Sequence, residues 1–251
     1  ALAGFSINVL TLLALVLARL AGRTTRTGGP YAYAHDAFGD LPGFLIAWGY
    51  WASVWIATPT VALAFVGYLS VFFPQLSANP IAQAAIALTL MWTLTLVSIR
   101  GVREAGMLQL AMTVLKLIPL ILVIIAGLIA GSPDNLPEVN PQGGHPLAVL
   151  ATTALLTMWA FAGLESGTLP AGQVKDPQKT VPRAVVIGTI TVTLVYLAAT
   201  AAVMILVPAD TLENSTSPFA DAARGLGEWG PKLIAVGALI STAGSLNGNI
   251  F

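Results

Sequence analysis

The chain has 251 residues, 11 acidic and 11 basic side chains, and a mean hydropathy of +0.82. Charged residues make up 9% of it, whereas soluble domains carry about 25%, so this composition indicates a protein of the lipid bilayer. The zero net charge argues against a nucleic-acid partner. The absence of cysteine excludes disulfides and thiolate metal sites. With only His35 and His145 available, we expect neither a metal site nor a cofactor.

Seven apolar segments approach or exceed the roughly 20 residues that a membrane-spanning helix needs. They cover roughly 1–20, 42–73, 80–99, 106–130, 147–169, 183–207 and 232–251. The segments between them are rich in Gly, Pro, Asn and Asp, which suits turns at the membrane surface. We therefore predict an all-α integral membrane protein, with residues 1–251 forming a single membrane domain. Both ends lie within apolar runs, so we expect a piece of a longer protein, truncated at each end.

The cations between the predicted spans alternate in number along the chain. The first, third and fifth loops carry eight of them and the sixth carries two: Arg19, Arg23, Arg26, Arg100, Arg103, Lys175, Lys179 and Arg183, against Arg224 and Lys232. Because cytoplasmic loops are enriched in Lys and Arg, the odd-numbered loops are predicted to face the cytoplasm. The protein is then a multi-pass protein of the plasma (inner) membrane.

The fifth span is interrupted in the stretch TMWAFAGLESGTLPAG, residues 157–172. Gly163, Glu165, Gly167 and Pro170 cluster within eight residues of an otherwise apolar run. One interpretation is a proline kink that packs against a neighbouring helix. The other is an unwound segment at a substrate site, as in the broken helices of secondary transporters. Glu165 would then titrate or form part of a gate.

Lys116 lies about ten residues into the fourth predicted span. A lysine near the centre of a membrane helix costs about 2.5–3.5 kcal/mol on insertion scales. Such a side chain is either held permanently by backbone carbonyls or gains and loses a proton during a transport cycle. Both interpretations stay open on the sequence.

The second predicted span carries Tyr50, Ser53 and Thr58, which are three to five residues apart and share roughly one side of a helix. They either pack against another helix or line a site.

The sequence contains no GxSxG, HExxH, Walker or paired-carboxylate motif, so we do not expect an enzyme.

Four stretches resemble the amino acid–polyamine–organocation transporters, in particular the bacterial basic amino acid/polyamine antiporter branch. They are GGPYAYAHDAFG (28–39), TVLKLIP (113–119), MWAFAGLESGTLPAGQVKDPQKTVPRA (158–184) and SPFADAARGLG (217–227). The resemblance covers essentially the whole chain. It implies a LeuT-like fold, a five-plus-five inverted repeat with broken helices one and six. The chain would then comprise about helices two to eight of that fold.

The resemblance also implies roles for nine residues. A substrate-binding role falls to Trp159, Ala162, Gly163, Ser53, Val54 and Thr58. Tyr50 and Glu165 match a paired lower gate, with Trp159 closing over the substrate. Lys116 matches a helix-five lysine whose amine replaces a sodium ion, so Lys116 and Glu165 are the candidates for proton coupling. Ser241, Thr242 or Ser245 would face Lys116 from helix eight.

Two differences from the arginine–agmatine antiporters concern the substrate. Thr58 stands where those proteins have an amide side chain that recognises the guanidinium, and Asn249 stands where they have a tryptophan. Those antiporters also lack a lysine at the position of Lys116. These differences favour a proton-coupled carrier of another amino acid over arginine–agmatine exchange.

The sequence therefore predicts a secondary active amino acid transporter with alternating access, proton-coupled through Lys116. Its partners would be a small amino acid, protons and the bilayer, and the resemblance allows a homodimer. One alternative is an amino acid/polyamine exchanger that is independent of protons. The alternative from another class is a membrane scaffold or sensor that transports nothing.

Overall fold

The computed structural model describes residues 2–23, 26–136, 143–149, 151–152, 163–169, 172, 174–215 and 217–250, with side chains from Leu12 onward except that of Val102. Nine helices have both of their ends in these residues: α1 (Leu2–Ala21), α2 (Pro30–Phe38), α3 (Asp40–Leu69), α4 (Pro80–Arg100), α5 (Val102–Ala130), α6 (Pro177–Leu206), α7 (Ala209–Glu213), α8 (Pro218–Ala223) and α9 (Gly230–Ile250). Short 3₁₀ turns occupy Pro74–Ala78, Pro133–Asn135, Leu164–Thr168 and Arg224–Leu226. The described residues contain no strand, which confirms the all-α prediction.

The helices begin and end where proline and glycine allow it. Proline occupies the first turn of α2 and α4, where its missing N–H costs nothing. The Asn79 side chain accepts a hydrogen bond from Ala82 N at 3.1 Å and caps α4. Between α4 and α5, Gly101 has φ 141°, a value that residues with a side chain rarely adopt. This glycine therefore separates the two helices.

Five of the helices are long and apolar enough to cross a bilayer: α3, α4, residues 103–130 of α5, α6 and α9. In the most apolar 18-residue stretch of α3, only 11% is buried, and the share is the same in α4. Large apolar side chains therefore cover the outside of these helices, as a lipid environment favours. Within the predicted span at 147–169, residues 150 and 153–162 lie outside the described residues. The bounds of the other helices differ from those of the predicted spans. For example, α6 begins at Pro177, whereas the predicted span begins at 183.

Contacts between backbone atoms divide the chain into two compact units. The first unit comprises residues 1–51 and 138–197. Its buried core joins α1 to the first turns of α6, through Ala14, Leu17, Ala21, Val181 and Val185. Tyr33 of α2 packs against this core. The organisation of the chain as a single membrane domain stays a prediction.

The second unit comprises residues 52–137 and 198–251. Leu246 of α9 is completely buried in a cluster with residues of α3 and α4. A separate cluster joins Val123 of α5 to Ala202, Val203 and Val207 at the end of α6. The Asn135 side chain donates a hydrogen bond to Ile205 O at 2.9 Å, which ties the loop after α5 to the same helix end.

Helices α5 and α9 pack along each other within the second unit. Cβ atoms built on three glycines of α9 would lie close to α5: Gly237 at 2.6 Å from Pro119 Cγ, Gly244 at 3.2 Å from Met112 Cβ, and Gly248 at 3.6 Å from Gln109 Nε2. The α5 numbers fall as the α9 numbers rise, so the helices are antiparallel. Small residues allow such close approach of membrane helices. We call this contact the α5–α9 interface.

Candidate functional site

A backbone turn at Gly163 opens the segment that the sequence marked as broken. Gly163 has φ 99° and ψ 0° in the left-handed region, which a glycine adopts without steric cost. A 3₁₀ turn follows over Leu164–Thr168, in place of α-helical hydrogen bonds. The Glu165 side chain is half-buried and makes no hydrogen bond or ion pair with any residue that the structure describes.

The glycine pair before α2 lies directly against this 3₁₀ turn. The Gly28 N–H donates to Leu169 O at 3.1 Å. A Cβ on Gly29, which has φ 51°, would lie 2.4 Å from Thr168 Oγ1. Only a residue without a side chain allows both the turn and this approach. The two most specific sequence motifs, GGPYAYA and FAGLESGTLPAG, are therefore in contact within the first unit.

Thr168 is the buried polar residue at this contact, with 1% of its surface exposed. Its hydroxyl donates to Glu165 O at 2.6 Å, and the Tyr33 hydroxyl shares a hydrogen bond with it. Burial raises the pKa of Tyr33 above its ordinary value, and the hydrogen bond with Thr168 partly offsets that shift. Tyr33 therefore keeps its proton at physiological pH and contacts the turn from α2.

Tyr50, in the first half of α3, contacts the same turn. Its hydroxyl oxygen lies 3.2 Å from Ser166 Oγ. Ser166 is the neighbour of Glu165, the residue that the resemblance pairs with Tyr50. The described contact of Tyr50 with this turn is thus made by Ser166, the residue next to the predicted partner Glu165. The gating roles of Tyr50 and Glu165 stay predictions.

The predicted substrate residues on α3 are Ser53, Val54 and Thr58, in the middle of the helix. The Thr58 hydroxyl donates to Val54 O at 2.7 Å, so its proton is already used inside the helix and its oxygen keeps a free lone pair. Val54 and Thr58 are four residues apart and share one face of α3. Their contact with a substrate stays a prediction.

Lys116 lies on the face of α5 that meets α9. Residues Ala105, Gln109, Met112, Lys116, Pro119 and Val123 follow one another at spacings of three and four, which is the repeat of a helix-packing stripe. Met112 meets Gly244 and Pro119 meets Gly237, so Lys116 falls at the level of Ile240 and Ser241. The three predicted partners of Lys116, Ser241, Thr242 and Ser245, all lie on α9. Ser241 fits this register, whereas the Thr242 hydroxyl donates a hydrogen bond to Ala238 O at 2.8 Å.

Trp159 and Ala162, two of the predicted substrate residues, lie outside the described residues. The structure adds Tyr33, Ser166 and Thr168, which the sequence did not single out. A signal for Thr168 was present, because a threonine inside a glycine-rich break is poorly placed for lipid contact. For Tyr33 no sequence signal pointed to the hydrogen bond, since its partner is more than a hundred residues away.

Long apolar helices, a glycine-initiated 3₁₀ turn and a lysine within a helix interface define a multi-pass α-helical membrane protein. The amino acid permease family model matches residues 1–251. The chain belongs to this family, which confirms the resemblance described from its motifs.

Three curated relatives illustrate the likeness. The cadaverine/lysine antiporter of Escherichia coli (strain K12) is 34% identical over 231 residues, 89% of this chain and 50% of the relative. The arginine/ornithine antiporter of Pseudomonas aeruginosa is 33% identical over 250 residues, 96% of this chain and 52% of the relative. A putative arginine/ornithine antiporter of Bacillus subtilis (strain 168) is 26% identical over 265 residues, 94% of this chain and 56% of the relative. The chain thus spans about half the length of these relatives.

Proposed function

We propose that the whole protein exchanges a basic amino acid for a related amino acid or amine across the plasma membrane. The observation that carries the proposal is the likeness, over most of the chain, to antiporters named for lysine, cadaverine, arginine and ornithine. Each of these substrates carries an ammonium or guanidinium group at the end of a flexible chain. The site that accepts them must therefore offer hydrogen-bond acceptors at two separated points.

The Gly163 turn supports a substrate site at the broken segment. The carbonyls of Gly163, Glu165, Ser166 and Leu169 already accept hydrogen bonds, so in this proposal the other backbone N–H and C=O groups of the broken segment bind the substrate. The α-amino and α-carboxyl groups of an amino acid are the natural ligands for such groups. In this proposal Trp159 closes over the bound substrate and the Ala162–Gly163 backbone lines it, while Tyr50 and Glu165 form the gate beneath, as the family resemblance implies.

Ser53, Val54 and Thr58 are proposed to contact the side chain of the substrate. The Thr58 oxygen accepts but has no free proton, because that proton is bonded to Val54 O. An acceptor suits the ammonium end of lysine, ornithine or cadaverine. Thr58 has no second polar atom that could bind the two-pronged guanidinium of arginine. We therefore propose primary ammonium substrates ahead of arginine.

We propose a second feature, proton coupling through Lys116. Lys116 makes no hydrogen bond or ion pair with any described residue and lies on the packed face of a membrane helix. An ammonium without a partner is costly there, which favours a lysine that loses its proton in one state of the cycle. The alternative is a permanently charged lysine in an exchanger that is indifferent to pH gradients.

The exchange proposal is tested with the full-length protein in liposomes preloaded with one unlabelled compound at a time. Uptake of radiolabelled lysine is measured against internal lysine, ornithine, cadaverine, arginine, leucine or no compound. We expect internal lysine, ornithine and cadaverine to accelerate uptake, leucine to have no effect, and arginine to act more weakly. Uptake that no internal compound accelerates would overturn the exchange proposal.

The scaffold alternative makes a different prediction about two residues. A protein that uses the broken helix only for its shape would keep its activity in Trp159→Ala and Glu165→Gln. An exchanger that binds substrate beside these residues loses counterflow in both. Lys175→Ala, in an exposed loop, serves as the control that should leave counterflow unchanged.

A further inference from the structure

The 3₁₀ turn at Leu164–Thr168 packs against α2 and α6. On the side of α2, Thr168 is buried and shares a hydrogen bond with the Tyr33 hydroxyl. On the side of α6, a Cβ built on Gly167 would lie 3.7 Å from Val185 Cγ2, at ordinary van der Waals distance. Val185 is itself buried. These buried contacts fix the turn to both helices.

The contact of the turn with α3 is of a different kind. The Tyr50 hydroxyl oxygen lies 3.2 Å from Ser166 Oγ, and either group can donate the proton. Tyr50 is half-buried and Ser166 is exposed. A hydrogen bond between two neutral hydroxyl groups changes an equilibrium by about two- to tenfold. This bond can therefore break without disrupting the packing of the turn on α2 and α6.

The Ser166 hydroxyl is the group of this residue that bonds outside the turn. The Ser166 N–H donates to Gly163 O at 3.0 Å, and the Ser166 carbonyl accepts from Leu169 N at 3.2 Å. The neighbouring Glu165 is the residue that the resemblance pairs with Tyr50, but its carboxylate makes no hydrogen bond or ion pair in the described part of the chain. The geometry therefore favours Ser166 over Glu165 as the partner of Tyr50.

We propose that Ser166 is a positioning residue of the substrate site and that it acts through Tyr50. The bond between the two hydroxyl groups holds the broken segment against α3, so that the backbone of this segment is in place before the amino acid binds. A site that is ordered in advance loses less conformational entropy on binding, so the bond raises the affinity for the substrate. This inference rests on the proposed function, in which the broken segment binds the substrate, and it adds a residue to the gate.

The proposal is tested by lysine–lysine counterflow at equal pH, with the full-length protein in liposomes. Tyr50→Phe and Ser166→Ala each remove one hydroxyl group. We expect each variant to raise the KM for lysine about two- to tenfold, and the double variant to have the KM of Tyr50→Phe, because both changes break the same bond. Ser166→Thr keeps the hydroxyl and should keep the KM of the wild type. A variant that only folds less well loses maximal rate and keeps its KM.

Tyr68→Phe is the matched control for Tyr50→Phe. Tyr68 lies on the same helix, and its hydroxyl has no partner among the residues that the structure describes, so we expect an unchanged KM. Effects of Tyr50→Phe and Ser166→Ala that multiply in the double variant would mean that the two hydroxyl groups act separately, which overturns the proposal. A KM that Ser166→Ala leaves unchanged would overturn it as well.

Amide hydrogen exchange supplies a second measurement that needs no transport. The Ser166 N–H is bonded inside the turn, so its exchange reports how often the turn opens. We expect exchange in residues 163–169 to become about two- to tenfold faster in Tyr50→Phe and in Ser166→Ala, and to stay unchanged in Tyr68→Phe. Exchange that neither variant accelerates contradicts the bond. If the wild type shows no counterflow, the proposed function fails, and hydrogen exchange then decides whether Ser166 positions the segment through Tyr50.

Discussion

The contact between the segment before α2 and the 3₁₀ turn at Leu164–Thr168 depends on Gly29 and on the Thr168 hydroxyl. Gly29 combines a positive φ with a distance to Thr168 that leaves no room for a Cβ. Thr168 fills the space so created, and its hydroxyl satisfies Glu165 O. The absence of a Cβ on Gly29 therefore allows the segment before α2 to approach Thr168, whose hydroxyl stabilises the 3₁₀ turn.

Thr168→Val keeps the shape of the side chain and removes the hydroxyl. The variant leaves Glu165 O and the Tyr33 hydroxyl without their partner, so we expect a loss of about 1–3 kcal/mol in stability. Thermal unfolding of the full-length protein in detergent measures it. Thr189→Val is the control, because Thr189 is also buried but its hydroxyl bonds only to Val185 O in its own helix. Equal shifts in the two variants would contradict the role of Thr168.

Gly29→Ala adds the Cβ that the contact excludes. The new atom would lie 2.4 Å from Thr168 Oγ1 at a φ of 51°, so we expect a lower unfolding temperature and weaker counterflow. In the same unit, Gly188 lies inside α6 with nothing within 4 Å of its would-be Cβ. Gly188→Ala should raise stability by about 0.5–1 kcal/mol. A Gly29→Ala protein as stable as the wild type would refute the close contact.

At the scale of elements, helix type followed from the sequence and helix contacts did not. Apolar length and flanking proline or glycine suffice to predict α3, α4 and α5, because a segment in lipid must satisfy its own backbone. The position of Lys116 opposite Ser241 depends on which small residues of α9 pack against α5. The hydrogen bond from Thr58 to Val54 O was equally hidden, since hydroxyl rotation depends on local geometry.

The α5–α9 interface is sensitive to added volume. A methyl group on Gly237 would lie 2.6 Å from the rigid ring of Pro119. We expect Gly237→Ala to cost about 1–3 kcal/mol through overpacking, visible as a lower unfolding temperature. Gly106→Ala on α5 meets nothing within 4 Å and should be neutral or stabilising. If both variants behave alike, the two helices do not pack in this register.

At the scale of the whole molecule, the placement of cations predicts how the chain crosses the membrane. Helix α6 has 30 residues and is about 45 Å long, so its ends lie on opposite sides of a core about 30 Å thick. Lys179 lies in the first turn of α6 and Glu213 in the segment after it. We predict that the Lys179 end faces the cytoplasm, because that loop carries the greater positive charge.

The residues of this chain include no cysteine, which makes the orientation measurable. Lys179→Cys and Glu213→Cys each introduce one thiol at an exposed position. In right-side-out vesicles, with any cysteine elsewhere in the full-length protein replaced, an impermeant maleimide should label Glu213→Cys and spare Lys179→Cys. The reverse pattern would invert the predicted topology, and labelling of both would contradict a helix that spans the bilayer.

Proton-driven lysine uptake is the most direct test of coupled transport by this protein. The full-length protein in liposomes is compared with and without an inward proton gradient, as wild type, Lys116→Ala and the control Lys232→Ala. We predict that the gradient stimulates uptake in the wild type and the control, and that Lys116→Ala abolishes the stimulation. Uptake that ignores the gradient in all three proteins, or stimulation that survives Lys116→Ala, would contradict coupling through this lysine.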